Sequence, residues 1–260
     1  ALAIEAFHKA SLVHDDIEDD DTFRYGRETL HRIHGVGTAI NIGDYLLGLG
    51  YRLIARDRKE IGGDCAADIT NKLSEAHLRL AEGQGAELLW RDAADKALTT
   101  LDALKIYALK TSPAFEAALY SGVRLAGDAT PYEKMIGDFS RNIGVAFQIL
   151  NDLKDWTGDD DNKLIAGGDV LGGRPTVLWA MALEGLDEAG RAELLNLVGD
   201  AERTAEGIAR VRALYTQAGV FEKAQRLVDK YQEKAEGVAD GLEPEELRRL
   251  FYYLVDTVLD

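Results

Sequence analysis

The sequence is poor in the residues that interrupt or cross-link a chain. It has one cysteine, Cys65, so no intramolecular disulfide is possible and nothing points to secretion. It has four prolines and no Gly/Ser-rich or low-complexity tract, so no linker is visible. Residues 1–260 read as one domain, long enough to bury a sizeable core. No apolar run approaches the roughly 18 residues that suggest a membrane span, and no signal peptide is visible. A cytoplasmic protein without an integral membrane segment is the expectation. Basic residues are in deficit, with 30 Lys and Arg against 46 Asp and Glu and a net charge of −16. That balance argues against a nucleic-acid partner. An acidic protein that holds an anionic substrate needs counter-charge, which a divalent metal can supply.

Alternating strand patterns are also lacking, and the periodicity is helical almost throughout. Leu2, Phe7 with Ala6 and Ala10, and Leu12–Val13 recur at helical steps. Further apolar helical runs are Ile40–Ile54, Asp64–Trp90, Leu101–Leu109 and Phe115–Leu125, with Ser112-Pro113 ending or kinking a helix between the last two. Tyr132–Trp156 is a long helix with Thr130-Pro131 as cap and first turn, and residues 158–173 read as a loop. Helices over Thr176–Leu186, Glu188–Val198, Ala201–Gly237 with a break at Ala218-Gly219, and Pro244–Leu259 complete an all-α chain. Ala1 already lies inside a helical pattern, so a natural N-terminus is expected before it.

Two acidic clusters end two of these helices. In His14-Asp15-Asp16-Ile17-Glu18-Asp19-Asp20-Asp21, Asp15 and Asp19 are four apart, about 40° from one another on one face. Like charges at this spacing destabilise a helix unless something cationic offsets them. Hard oxygen ligands on a rigid helix suit magnesium, which keeps waters and shares phosphate oxygens. An acidic run alone is usually a solvated helix end; here it directly follows an apolar helix and precedes Arg24. In Asn151-Asp152-Leu153-Lys154-Asp155, Asn151 and Asp155 repeat the spacing, and Asp159 would extend the face. Asn ligates through a neutral amide oxygen, so this face is the weaker one. Two such faces opposed across a helical bundle would make a negative mouth for divalent ions and then diphosphate. An apolar cavity beyond it would protect a carbocation.

These residues resemble the trans-isoprenyl diphosphate synthases, the polyprenyl synthetases. HDDIEDDDTFR from His14 is similar to the family's first aspartate-rich motif and NDLKD from Asn151 to its second. Between and after them, Ala39–Leu46, Gly83-Gln84 with Glu87-Leu88, Lys110-Thr111, Phe147-Gln148 and Gly168–Thr176 resemble further family elements in the family's order. The resemblance implies an isoprenoid-synthase-type bundle with a central apolar cavity, working as a homodimer. It implies a prenyltransferase that condenses an allylic diphosphate with isopentenyl diphosphate. Asp15, Asp19, Asn151 and Asp155 would hold up to three magnesium ions, and Asp16, Asp152 and Lys110 would join Asp15 and Asp19 in the catalytic set. Arg24, Lys110 with Thr111, Gln148, Lys163 and Arg174 would contact the allylic diphosphate, and His8 would bind isopentenyl diphosphate. His31 and His34 are left as structural residues.

The departures concern the acceptor. Tyr25 stands where the family has a second arginine of the isopentenyl diphosphate site, Asn151 replaces an aspartate, and Arg174 replaces a lysine. Lys163 is one residue further from Gly168-Asp169 than the family spacing. A Gly-Lys-Arg element of the acceptor site would precede Ala1. Small Ala10 and Ser11 upstream of Asp15 leave room beyond a farnesyl chain, with Phe7 as floor, which predicts a geranylgeranyl-like or longer product. Two other readings stay open: a terpene-synthase-like lyase on the same fold, and a non-catalytic partner subunit of an active synthase.

Overall fold

The structure is a computed structural model that describes residues 1–157, 167–171, 173–199 and 204–259. In chain order it contains α1 (Leu2–Glu18), β1 (Phe23–Arg24), β2 (Arg27–Glu28), α2 (Leu30–His34), α3 (Val36–Arg56), α4 (Arg58–Ile61), α5 (Gly63–Asp92) and α6 (Thr100–Lys110). There follow α7 (Ser112–Ala126), a 3-10 turn (Thr130–Tyr132), α8 (Glu133–Asp155), α9 (Gly168–Leu171), α10 (Val177–Gly185), α11 (Glu188–Gly199), α12 (Ala205–Gln217), α13 (Val220–Asp240) and α14 (Glu245–Leu259). The fold is all-α, and among the described residues no helix is long and apolar enough to cross a membrane.

Most helix ends fall where the punctuation residues lie. The break in the long C-terminal pattern is at Gly219, whose φ of 63° glycine adopts at the least cost. The Thr130-Pro131 cap is corrected: those residues form the 3-10 turn, and α8 begins after Tyr132, which makes no side-chain cap. The loop expected over 158–173 contains the short helix α9 within its described part. The unforeseen element is the hairpin β1–β2, antiparallel with Phe23 opposite Glu28. Its turn residues, Tyr25 and Gly26, have φ values of 51° and 74°, as a tight two-residue hairpin turn requires.

The chain divides into two compact units. The first includes residues 1–75 and 120–129. Here α1 packs along α3, burying Ala6, Ala10 and Val13 on one helix and Ala39 and Ile54 on the other. The second includes residues 76–119, 130–157 and the described residues from 167 onward. In it α10 is buried on every side, Val177 to Leu183 without interruption, among α6, α8, α12 and α13. A second apolar cluster joins Phe139 and Ile143 of α8 to Ala235 of α13 and Phe251 and Val255 of α14. The apolar surface removed from water in these clusters is the main source of stability. It makes rigid platforms of α8 and α10, which carry the polar residues described next.

Candidate active site

The first acidic face is built on the C-terminal end of α1. Residues Ala6, Ala10, Val13 and Asp16 form one buried row at helical spacing. Asp16 is therefore turned inward, while Asp15 and Asp19 lie on the half-exposed side. Asp16 is held by Arg24, whose Nε donates to its Oδ1 at 2.5 Å while Nη2 reaches Asp21 Oδ2 at 3.3 Å. Burial raises the Asp16 carboxyl above its ordinary value, and the Arg24 guanidinium pulls it back. The last turn of α1 has no basic residue. Its carboxylates therefore meet the negative end of the helix dipole. Arg32 offsets part of this, with Nη2 2.8 Å from Asp20 Oδ2.

The second acidic face ends α8, and the pattern repeats. Asn151 is exposed and Asp155 half-buried, while Asp152 continues the buried row of Val145 and Ile149. The Asp152 Oδ2 accepts a short hydrogen bond from the Tyr107 hydroxyl and another from the Val177 N–H at 3.1 Å. Burial pushes its carboxyl well above the usual carboxylate range, and the charge of Asp169 adds to the rise. Tyr107 and the Val177 N–H counter it in part. Asp155 accepts the Asp169 N–H at 3.2 Å, which ties the end of α8 to the segment Asp169–Thr176.

Three of the cations picked out by the sequence sit against a carboxylate. Arg24 pairs with Asp16, Lys110 Nζ lies 2.8 Å from Glu87 Oε2, and Arg174 Nη1 lies 2.8 Å from Asp169 Oδ1. Glu87 is 4% exposed, so its pairing with Lys110 takes place largely out of water. Gly83 permits this arrangement: a Cβ there would lie 2.5 Å from the Lys110 backbone N. Beside Lys110, the Thr111 Oγ1 accepts from Gln148 Nε2 at 2.5 Å, joining the Lys110-Thr111 and Phe147-Gln148 pairs.

The remaining candidates are placed as follows. His8 is exposed, with Nδ1 3.4 Å from Glu5 Oε2. Ala10 is wholly buried and Ser11 exposed, its hydroxyl donating to the His8 carbonyl at 2.9 Å. The two therefore do not share one face. Phe7 packs edge-on against Tyr51 with ring centroids 4.8 Å apart. Tyr25 is exposed at the hairpin turn, with the Lys9 ammonium 5.7 Å from its ring centre. His31 is buried, 3.6 Å from Asp20, and His34 is exposed. Lys163 and Asp159 lie outside the described residues.

Sequence reasoning did not give Tyr107 or Glu87 these roles. It also did not separate Asp16 and Asp152 from their neighbours, although both continue apolar rows that the sequence displays. Among the described residues no group of three or more His, Cys, Asp or Glu side chains is disposed to hold a metal ion by itself. The donors left at least partly accessible fit a hard cation that keeps part of its shell as water or phosphate: two half-exposed carboxylates one turn apart, Asp15 and Asp19, and the exposed amide of Asn151 with the half-buried carboxylate of Asp155.

Comparison with known proteins identifies the family. Residues 1–217 match the family described as Polyprenyl synthetase. The chain is 31% identical to the geranylfarnesyl diphosphate synthase of Aeropyrum pernix, over 99% of this chain and 82% of that one. The crystal structure of geranylgeranyl pyrophosphate synthetase from Pyrococcus horikoshii is similar with a TM-score of 0.88 and 29% identity, covering 99% of this chain and 77% of that one. A polyprenyl synthase from Caulobacter crescentus, solved with calcium and isoprenyl diphosphate, has a TM-score of 0.86 and 25% identity, with 99% and 76% covered. By the family match over residues 1–217 and the likeness to these synthases across 99% of its length, this chain belongs to the polyprenyl synthetases, the trans-isoprenyl diphosphate synthases, and is a prenyltransferase.

Proposed function

We propose that the chain condenses an allylic diphosphate with isopentenyl diphosphate to a longer trans-polyprenyl diphosphate, of geranylgeranyl length or more, as a magnesium-dependent cytoplasmic homodimer. The observation that carries this reading is the end of α1. Asp15 and Asp19 share the half-exposed face of the helix, while Asp16 turns inward to fix Arg24. The Caulobacter crescentus protein named above was solved with a divalent ion and an isoprenyl diphosphate, which supports the same ligand classes here.

Asp15 and Asp19, and more weakly Asn151 and Asp155, hold up to three magnesium ions. Magnesium bound there supplies positive charge to the departing diphosphate. Arg24, Lys110 and Arg174 add fixed cations, each oriented by its own carboxylate, so little reorganisation is needed as charge develops. Thr111 and Gln148 hold each other and line up beside Lys110. The C1–O bond of the allylic substrate breaks, the double bond of isopentenyl diphosphate attacks C1, and the released diphosphate takes the proton lost from the adduct. His8 serves the isopentenyl diphosphate side. Tyr25 leaves that side one cation poorer than the family pattern, so acceptor binding is the weaker half of the reaction.

The test is to incubate the purified protein with magnesium, farnesyl diphosphate and labelled isopentenyl diphosphate. Labelled diphosphates longer than farnesyl are the expected result. Hydrocarbons or alcohols without label would show a lyase, and turnover only on mixing with a second synthase would show a partner subunit.

A further inference from the structure

Tyr107 lies on α6, three residues before Lys110, and is 4% exposed. A phenylalanine would fill an apolar site equally well; a buried hydroxyl stays only where it has partners. This one has two, on two other helices. It donates to Asp152 Oδ2 of α8 and accepts the Val177 N–H of α10 at 2.8 Å. The same N–H also reaches Asp152 at 3.1 Å. Val177 is the first residue of α10, and the preceding Thr176 caps that helix by accepting the Trp179 N–H at 3.1 Å. The start of α10 is thus pinned by a carboxylate, a phenol and a hydroxyl. It offers the exposed N–H groups and positive dipole end that such acceptors satisfy.

The three elements joined here are the ones that present the candidate diphosphate ligands of this unit. α6 ends in Lys110 and continues into Thr111; α8 ends in Asn151 and Asp155; and the segment leading into α10 carries Asp169 and Arg174. That segment is tied a second time, by the Asp169 N–H to Asp155. We propose that Tyr107 is a positioning residue for magnesium diphosphate, acting through Asp152 and the Val177 N–H to fix the end of α8 and the Asp169–Thr176 segment relative to Lys110. Asp152 accordingly orients its neighbours and is not itself a metal ligand. The proposal rests on the function given above.

The experiment compares wild type, Tyr107→Phe, Asp152→Asn and the double variant. Tyr107→Phe keeps the ring, and the Val177 N–H keeps its bond to Asp152, so the unliganded melting temperature should move by only a few degrees. The stabilisation produced by magnesium with inorganic diphosphate, followed by thermal melting, should report an affinity weaker by roughly tenfold. The kcat of elongation should fall by a similar factor while KM for isopentenyl diphosphate stays unchanged. The double variant should be no worse than the poorer single one, because both changes break one unit. A Tyr107→Phe protein that binds magnesium diphosphate and turns over like wild type overturns the proposal. So does one whose only loss is in unliganded melting. Wild-type protein that neither binds magnesium diphosphate nor elongates would overturn the proposed function and this inference together.

Discussion

Lys110 Nζ and Glu87 Oε2 are 2.8 Å apart, with 21% of the first side chain and 6% of the second exposed. The lysine therefore reaches its place already partnered. Arg24 with Asp16 and Arg174 with Asp169 repeat the relationship. In a chain of net charge −16, a loose cation would be drawn to any nearby carboxylate; a partner held in place, buried for Asp16 and Glu87 and half-buried for Asp169, fixes it in one geometry.

Lys110→Ala should destabilise the protein by about 3 kcal/mol, because it strands the Glu87 carboxylate in a buried site. Adding Glu87→Gln should recover much of that loss, since the neutral amide is cheaper to bury. Urea denaturation of the two variants checks this. A Lys110→Ala protein as stable as wild type would show that the pair is solvated.

Asp19→Asn should raise metal-free stability by about 0.5 kcal/mol, by removing a charge that opposes both the α1 dipole and Asp15. Elongation should fall steeply in the same variant. Stability and activity moving in opposite directions would mark Asp19 as a functional charge; a protein destabilised by the change would refute this reading.

Gly83→Ala places a Cβ 2.5 Å from the Lys110 backbone N. The backbone cannot swing aside as a side-chain tip would, so a loss of about 1–3 kcal/mol is expected. The allylic substrate KM should rise with it. Thermal melting and initial-rate kinetics together test the close approach of α5 to the end of α6.

Ala10→Phe should shorten the product and also cost about 1–3 kcal/mol, because Ala10 is completely buried. Unchanged product length on chromatography would remove Ala10 from the chain-growth cavity. Ser11 is exposed, so Ser11→Phe should cost less stability than Ala10→Phe.

Tyr107 and Tyr215 are buried, and burial holds both phenols well above their ordinary value of 10.0. The nearby Asp152 adds to the effect. A phenol with a raised folded-state pKa contributes fully below the unfolded value. That contribution is lost as pH rises from about 10 through the folded value. Stability should therefore fall above pH 10, and tyrosinate absorbance from these two should appear only with unfolding. Prompt ionisation of every tyrosine in the folded protein would contradict their burial.

Much of the helix order was legible because glycine and proline mark its ends, as at Gly219 and Ser112-Pro113. The β1–β2 hairpin was not, since its strands are two residues long and its turn uses Tyr25 where Asn or Asp would have signalled it. The acidic motifs announced themselves as runs of charge, but a run conceals orientation. Asp16 and Asp152 stand in line with Val13 and Ile149 on the buried rows, and that spacing was the signal for their inward role. Tyr107 was hidden because a tyrosine in an apolar helix reads as core. Only its hydroxyl contacts, to residues 45 and 70 positions away in the sequence, reveal what it joins.

The central claim is that the half-exposed carboxylates on α1, Asp15 and Asp19, work through magnesium to drive prenyl elongation. The most direct measurement is incorporation of labelled isopentenyl diphosphate into farnesyl diphosphate across a magnesium titration, for wild type and Asp19→Asn. The account predicts magnesium-dependent formation of longer labelled diphosphates by wild type, with kcat lower by about 10²–10³ in the variant. Equal incorporation by both proteins, or incorporation unaffected by chelating the metal, would contradict it.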